Sequence, residues 1–146
     1  MDILNDEKLK LKNQLCFPLY AASKEVIRRY RPYLDAIGLT YTQYIAMMVL
    51  WEVKRINVKE LGKKLYLDSG TLIPVLKSLE EKGYVTRRRS SEDERVLLIE
   101  ITEEGEALKQ RASSVPASVA ACVDLTSEEA KTLYSLLYRL LEGLSE

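Results

Sequence analysis

Between residues 8 and 37, apolar side chains recur every three or four positions, at Leu15, Leu19, Ala22, Val26, Tyr30, Tyr33 and Ile37. That spacing predicts one face of a long helix. Proline is tolerated only in a first turn, so Pro18 places the start at Phe17 or Pro18, after a short turn over Lys8–Leu15. Thr40-Tyr41-Thr42-Gln43 has the spacing of a capping box and opens a second helix, with Ile45, Met48, Val49 and Glu52 in register. Asn57-Val58-Lys59-Glu60 is a second such box, opening a short helix with Val58, Leu61 and Leu65 inward. After a tight turn at Tyr66-Leu67-Asp68, a further helix buries Leu72, Leu76 and Leu79 and stops at Gly83. Asp68, Ser69 and Thr71 can each cap it; Pro74 favours the late cap, Thr71.

The period then changes to two. Tyr84–Arg89 and Val96–Thr102 read as strands flanking the polar stretch 90–95, with Leu97, Ile99 and Ile101 on one face. Thr102-Glu103-Glu104 caps another helix, which Pro116 bends or interrupts, and Thr126–Glu129 boxes the last, with Leu133, Leu136, Leu137, Leu140 and Leu141 on a broad apolar face. Helix, helix, helix-turn-helix, β-hairpin, helix, helix is the order of a winged helix-turn-helix. The fold class expected is mainly α with a small β-hairpin wing. Residues 40–102 form the winged unit, and 1–39 with 103–146 form a helical dimerisation region intertwined with it. More apolar stripe lies in 8–37 and 103–144 than that middle can cover, which points to a two-fold homodimer.

Charge distribution changes the functional picture. The 146 residues carry 22 Lys+Arg and 22 Asp+Glu, so the formal net charge is zero. Yet residues 54–89 hold ten basic and four acidic residues, a local +6, while 96–146 hold four and nine, or −5. The balanced total conceals an anion-binding middle. Ser69, Thr71 and Ile73 then lie on the exposed side of the helix after the turn, where base edges are read, with Lys77 placed for phosphate. Arg87, Arg88 and Arg89 lie along the first strand. Arg95 at the wing tip suits a minor groove, with Asp93 orienting its guanidinium. Lys59, Lys63 and Lys64 suit the helix that crosses the backbone. A basic face is often only solvated charge, but tight turn, helix length and basic hairpin coincide here and favour double-stranded DNA as partner.

The chain contains no His. That excludes Ser-His and Cys-His nucleophile pairs and His metal ligands, and two Cys cannot make a four-thiolate zinc site. No metal or cofactor is expected. No apolar run of about 18 residues is present and Met1–Glu7 has no secretory pattern, so a cytoplasmic protein away from membranes is expected. Cys16 falls at the start of the long helix, where the dipole and free N–H groups favour thiolate. Tyr20 is one turn on, and Tyr30, Tyr41 and Tyr44 come from segments expected nearby. Nine Tyr against one Phe supplies phenol donors for a thiolate. The simpler alternative for Cys16, and for Cys122 within Val119–Val123, is a small buried hydrophobe.

Several of these runs resemble the MarR-type winged-helix repressors over nearly the whole chain, and within them the organic-hydroperoxide resistance (OhrR-like) regulators. The resemblance is carried by Leu15-Cys16-Phe17, Leu19–Ser23, Tyr30-Arg31-Pro32, Leu39–Tyr44, Leu50-Trp51-Glu52, Val58–Gly62, Leu65–Leu72, Arg87–Ser90 and Glu92–Arg95. It implies a dimeric, non-enzymatic repressor that leaves its operator when an organic hydroperoxide oxidises Cys16. By match, Tyr30 and Tyr41 hydrogen-bond the sensing thiol, within the chain or across the dimer, Asp93 and Arg95 are the minor-groove pair, and Cys122 stands where some members carry a second Cys that forms an intersubunit disulfide. Members without one form mixed disulfides with small thiols. Pro18 departs from the family pattern. Two other functions remain open at this level: a repressor released by a phenolic or apolar ligand in the dimer crevice, and a thiol peroxidase using Cys16.

Overall fold

The computed structural model describes residues 3–145. Met1, Asp2 and Glu146, the outermost residues of the stretches assigned above, lie outside the described residues. The chain divides into two units, residues 1–115 and 116–146.

The first unit begins with α1 (Ile3–Lys8) and a 3-10 turn (Leu11–Asn13), followed by the long helix α2 (Cys16–Asp35). The long helix starts at Cys16, earlier than expected, with Leu15 as its N-cap. Pro18 is the third helical residue and forfeits no intrahelical bond there. Pro32 lies in the interior, near the C-terminal end, where only the final turns are affected. Gly38 (φ +71) then reverses the chain, and the Leu39 N–H reaches the Leu34 carbonyl at 3.0 Å.

Helix α3 (Tyr41–Val53) opens with the expected capping box between Thr40 and Gln43. Its buried stripe is not the expected one. Ala46, Met47, Leu50 and Trp51 face the core, whereas Met48 is exposed. Apolar residues surround this helix almost completely, so periodicity alone could not choose the inward side. Trp51 fixes the choice by donating its indole N–H to the Gly105 carbonyl at 2.8 Å.

A strand that the pattern did not predict, β1 (Arg55–Asn57), precedes α4 (Val58–Leu65). Three residues are too few to show a period of two. Asn57 ends the strand and caps α4 by accepting from the Glu60 N–H at 2.8 Å; the reciprocal bond of a full box is absent. The sheet therefore has three strands in the order β1-β3-β2, with β2 (Val85–Arg89) and β3 (Leu97–Ile101) forming the wing. All pairings are antiparallel, with Ile56 opposite Ile99 and Arg87 opposite Ile99 on either side of the central strand.

Helix α5 (Ser69–Glu81) begins earlier than Pro74 suggested. Asp68 is the cap, and Thr71 is the residue capped: its N–H donates to Asp68 at 2.7 Å. Pro74 is thus the sixth helical residue, and the carbonyl it leaves unpaired belongs to exposed Gly70. Leu72, Leu76 and Leu79 are fully buried as expected, packed into one core with Leu50, Leu61 and Ile99. Helix α6 (Glu103–Ala112) follows the Thr102 cap.

The second unit contains α8 (Ser127–Leu144), opened by the expected Thr126–Glu129 capping box. Pro116 is the second residue of the short helix α7 (Val115–Ala120), so it starts a new helix rather than bending α6. No residue of α8 is buried: Leu133, Leu136, Tyr138 and Leu140 are all exposed. Among the described residues no helix is long and apolar enough to cross a membrane.

The turn between α4 and α5 depends on one glycine. A Cβ on Gly62 would lie 2.6 Å from the Leu67 carbonyl oxygen. Gly62→Ala is expected to destabilise the first unit by about 1–3 kcal/mol through forced backbone displacement. Urea unfolding should show a lower midpoint at unchanged slope; an unchanged midpoint would contradict the close approach.

Candidate nucleic-acid interface and thiol site

Capping by Asp68 determines what α5 can offer at its N-terminal end. The carboxylate takes the Thr71 N–H and hydroxyl, and these bonds hold it below its ordinary range. Ser69, Thr71 and Lys77 are exposed, as expected for side chains that read a ligand. Ile73 is only half-buried. It lines a hollow of about 330 Å³ together with Asn57, Lys59, Ser69, Arg89 and Arg95. The helix N-terminus, the β1–α4 junction and the base of the wing therefore meet around one partly cationic depression.

The three wing arginines differ in role. Arg87 is not a free cation. Its Nε and Nη2 both donate to Glu80 Oε1 at 3.1 Å, and its backbone N–H donates to Glu80 Oε2 at 3.0 Å. This fork is partly buried and ties β2 to the last turns of α5. The sequence placed Arg87 with the DNA contacts; its guanidinium is paired with Glu80, a residue that no local pattern singled out. Arg88 and Arg89 are exposed, and strand alternation sends them to opposite faces. Lys59, Lys64, Lys77, Arg88 and Arg89 have no carboxylate partner among the described residues.

At the wing tip, Asp93 Oδ1 accepts from Arg95 Nε at 3.1 Å and from the Arg95 backbone N–H at 3.0 Å. These bonds lower the Asp93 carboxyl's affinity for a proton. The Arg95 side chain remains 90% exposed, so it is oriented but still available.

Cys16 is exposed and is the first residue of α2; no hydrogen bond reaches its sulfur among the described residues. The simpler alternative of a buried hydrophobe holds for neither cysteine in the single chain, where both are exposed. Cys122 is also exposed, just past α7, with its sulfur 3.7 Å from the Ser118 carbonyl oxygen. The tyrosines do converge, but not on Cys16 of their own chain. Tyr30, Tyr41 and Tyr44 form a cluster with ring centroids 5.0, 5.8 and 6.4 Å apart. Tyr30 lies 14 residues beyond Cys16 on the same helix, which is about 21 Å at 1.5 Å per residue. Burial, then the neighbouring Tyr30, raises the Tyr41 and Tyr44 phenols above their ordinary value, so both remain protonated donors at neutral pH. Tyr20, one turn from Cys16, is exposed beneath the Lys24 ammonium, 5.0 Å from its ring centroid.

The family model described as transcriptional regulator SarA/Rot matches residues 25–112. The chain is 48% identical over 140 residues to the organic hydroperoxide resistance transcriptional regulator of Bacillus subtilis strain 168, covering 96% of this chain and 95% of that protein. It is 45% identical over 127 residues to the HTH-type transcriptional regulator SarZ of Staphylococcus epidermidis, covering 87% and 86%. Among solved structures, AbfR of Staphylococcus epidermidis is similar at 35% identity. Its reduced form bound to DNA superposes with a TM-score of 0.77, covering 97% of this chain and 99% of that one. Its disulfide form gives 0.63, covering 97% and 96%.

The Asp68 cap yields a test with a definite sign. Its folded value lies below the unfolded value of about 3.9, so its hydrogen bonds contribute stability above that pH and lose it as pH falls through the folded value. Asp68→Asn keeps an acceptor that cannot titrate. Thermal unfolding of this variant between about pH 4 and pH 2 should therefore fall less steeply than in wild type; parallel curves would exclude the cap as a source of acid sensitivity.

Proposed function

We propose that this chain, which belongs to the MarR-type winged-helix transcriptional regulators and within them to the organic-hydroperoxide resistance (OhrR-like) subgroup, is a homodimeric DNA-binding repressor that senses organic hydroperoxides through Cys16. The observation that carries the sensing role is Cys16 itself, exposed at the first position of α2 with no hydrogen-bond partner among the described residues. Its relatives are named as transcriptional regulators, not enzymes, which removes the peroxidase alternative.

DNA would be gripped through Ser69, Thr71, Ile73 and Lys77 on α5 and through Arg88, Arg89 and Arg95 on the wing. Arg87 contributes by holding the wing against α5. The operator would lie in the cytoplasm, with the protein.

A second copy is needed for two physical reasons. Leu15 at the cap of α2, Phe17, Leu19, Val26 and Ile27 on it, and the leucines of α8 leave large apolar surface exposed. Residues 1–39 and 103–146 would bury it as the dimerisation region, around the winged unit 40–102. Also, the phenol cluster lies about 21 Å along α2 from Cys16, too far for a bond within one chain. An α2 running antiparallel from the partner would bring that cluster to Cys16. Tyr30 and Tyr41 would then donate to its thiolate across the dimer, and Tyr20 from the same helix.

The chemistry balances without a cofactor. The Cys16 thiolate attacks a peroxide oxygen; an S–O bond forms, the O–O bond breaks, and the alkoxide leaves as an alcohol after taking a proton. The sulfenic acid then condenses with a thiol, releasing water. That thiol is Cys122 of the partner subunit or a free small thiol. Either product changes the packing at the start of α2 and shifts the spacing of two DNA-reading helices.

Operator binding by fluorescence anisotropy, before and after an organic hydroperoxide, tests this. Wild type should release DNA and Cys16→Ser should stay bound. Release of Cys16→Ser to the same extent would favour a ligand-released repressor instead. Reversible release of Cys122→Ser with added small thiol would identify the single-cysteine route. On the DNA side, Arg95→Ala should weaken operator binding by about 1–3 kcal/mol; unchanged affinity would remove the wing tip from the interface.

A further inference from the structure

One polar side chain in the core is not explained by either site. Gln43 is 6% exposed, and every polar atom of its amide is engaged. Its Oε1 accepts from the Thr40 backbone N–H at 3.0 Å and from the Lys82 ammonium at 2.9 Å. Its Nε2 donates to the Ser78 hydroxyl at 2.9 Å. Lys82 also donates to the Gly38 carbonyl at 2.6 Å. A single amide therefore caps α3, holds the last turns of α5, and shares a lysine with the reversal between α2 and α3.

We infer that Gln43 is a positioning residue for the DNA-reading helix, setting the tilt of α5 according to the arrangement of the tyrosines on the other side of α3. Tyr41 and Gln43 are two residues apart, about 200° around a helix, so they point to opposite sides of the same first turn. Tyr41 packs its ring against Tyr30 of α2 at 5.0 Å, while Gln43 grips Ser78 of α5. A hydrogen-bonded turn moves as one piece, so a change on the tyrosine side is passed to Ser78. Ser78 lies nine residues from Ser69, a lever of about 13 Å, and a 10° tilt there displaces Ser69 by about 2 Å. Hydrogen bonds to base edges do not survive such a displacement, whereas contacts to flexible phosphates largely do.

The inference rests on the DNA-binding reading of α5, and its first test, by NMR, requires neither DNA nor peroxide, so the two can fail separately. In amide NMR spectra of the full-length reduced protein, Tyr41→Leu should shift signals across Ser69–Glu81. Adding Ser78→Ala, which removes the hydroxyl link to the body of α5 and leaves only the Lys82 ammonium at the helix C-cap in contact with Gln43, should reduce those shifts to less than half. Gln43→Glu keeps the acceptors for Thr40 and Lys82, and the Ser78 hydroxyl can turn to donate to it, so this variant should transmit like wild type. Gln43→Leu should not; if it fails to fold, Ser78→Ala still decides. Undiminished shifts without the Ser78 hydroxyl, or no shifts in α5 at all, would overturn the inference. In operator titrations Ser78→Ala should lose about three- to tenfold of the preference for operator over random DNA, at an unchanged dependence on salt. An unchanged preference would also overturn it. Intact NMR coupling with no peroxide response in wild type would count against the sensing function alone.

Discussion

A helix that offers its polar side chains to DNA must be held entirely by its other side. In α5 that side consists of Leu72, Leu76 and Leu79, none with any exposed surface. Each such burial is worth about 1.5–3 kcal/mol, and Leu50, Leu61 and Ile99 provide the surface they pack on. Everything at the interface depends on this anchorage. The Asp68 cap fixes where the helix begins, Gly62 lets the preceding turn close on Leu67, and the Glu80–Arg87 fork fixes where the wing departs. Ser69, Thr71 and Lys77 are left with no packing role.

The thiol site obeys the opposite logic, because one chain leaves it unfinished. A rigid helix keeps Cys16 and Tyr30 about two-thirds of its length apart, and no side-chain rotation can close a gap of about 21 Å. In the proposed dimer, donors and sulfur would meet through another copy of the helix running beside it. In that proposal the apolar surface exposed on α2 and α8 would supply the driving force for association. Sensing and dimerisation would then be two consequences of the same helix.

Much of this was legible in the residues themselves. The helix-turn-helix, the wing, the capping boxes at Thr40 and Thr126, and the buried leucines of α5 are all as the pattern predicts. The details that differ have separate causes. On α3 both possible stripes are apolar, so the inward side was decided by Trp51 reaching Gly105, 54 residues away. The late cap inferred from Pro74 gave way to Asp68, because a carboxylate receiving two donors outweighs one missing backbone bond at an exposed position. Strand β1 is too short to show a period and exists because β3 has a free edge beside it.

The sequence by itself determined most of the local elements, the cationic middle hidden within a net charge of zero, and the position of Cys16 at a helix start. These follow from interactions within about four residues or from simple sums of charge, and they need no knowledge of distant neighbours. Only the tertiary structure decided which arginine is free and which is held by Glu80. It also decided that the tyrosines gather away from the thiol of their own chain, and that Gln43 joins α3 to α5. Those outcomes depend on distances between segments that folding brings together, and a linear pattern carries no such distances.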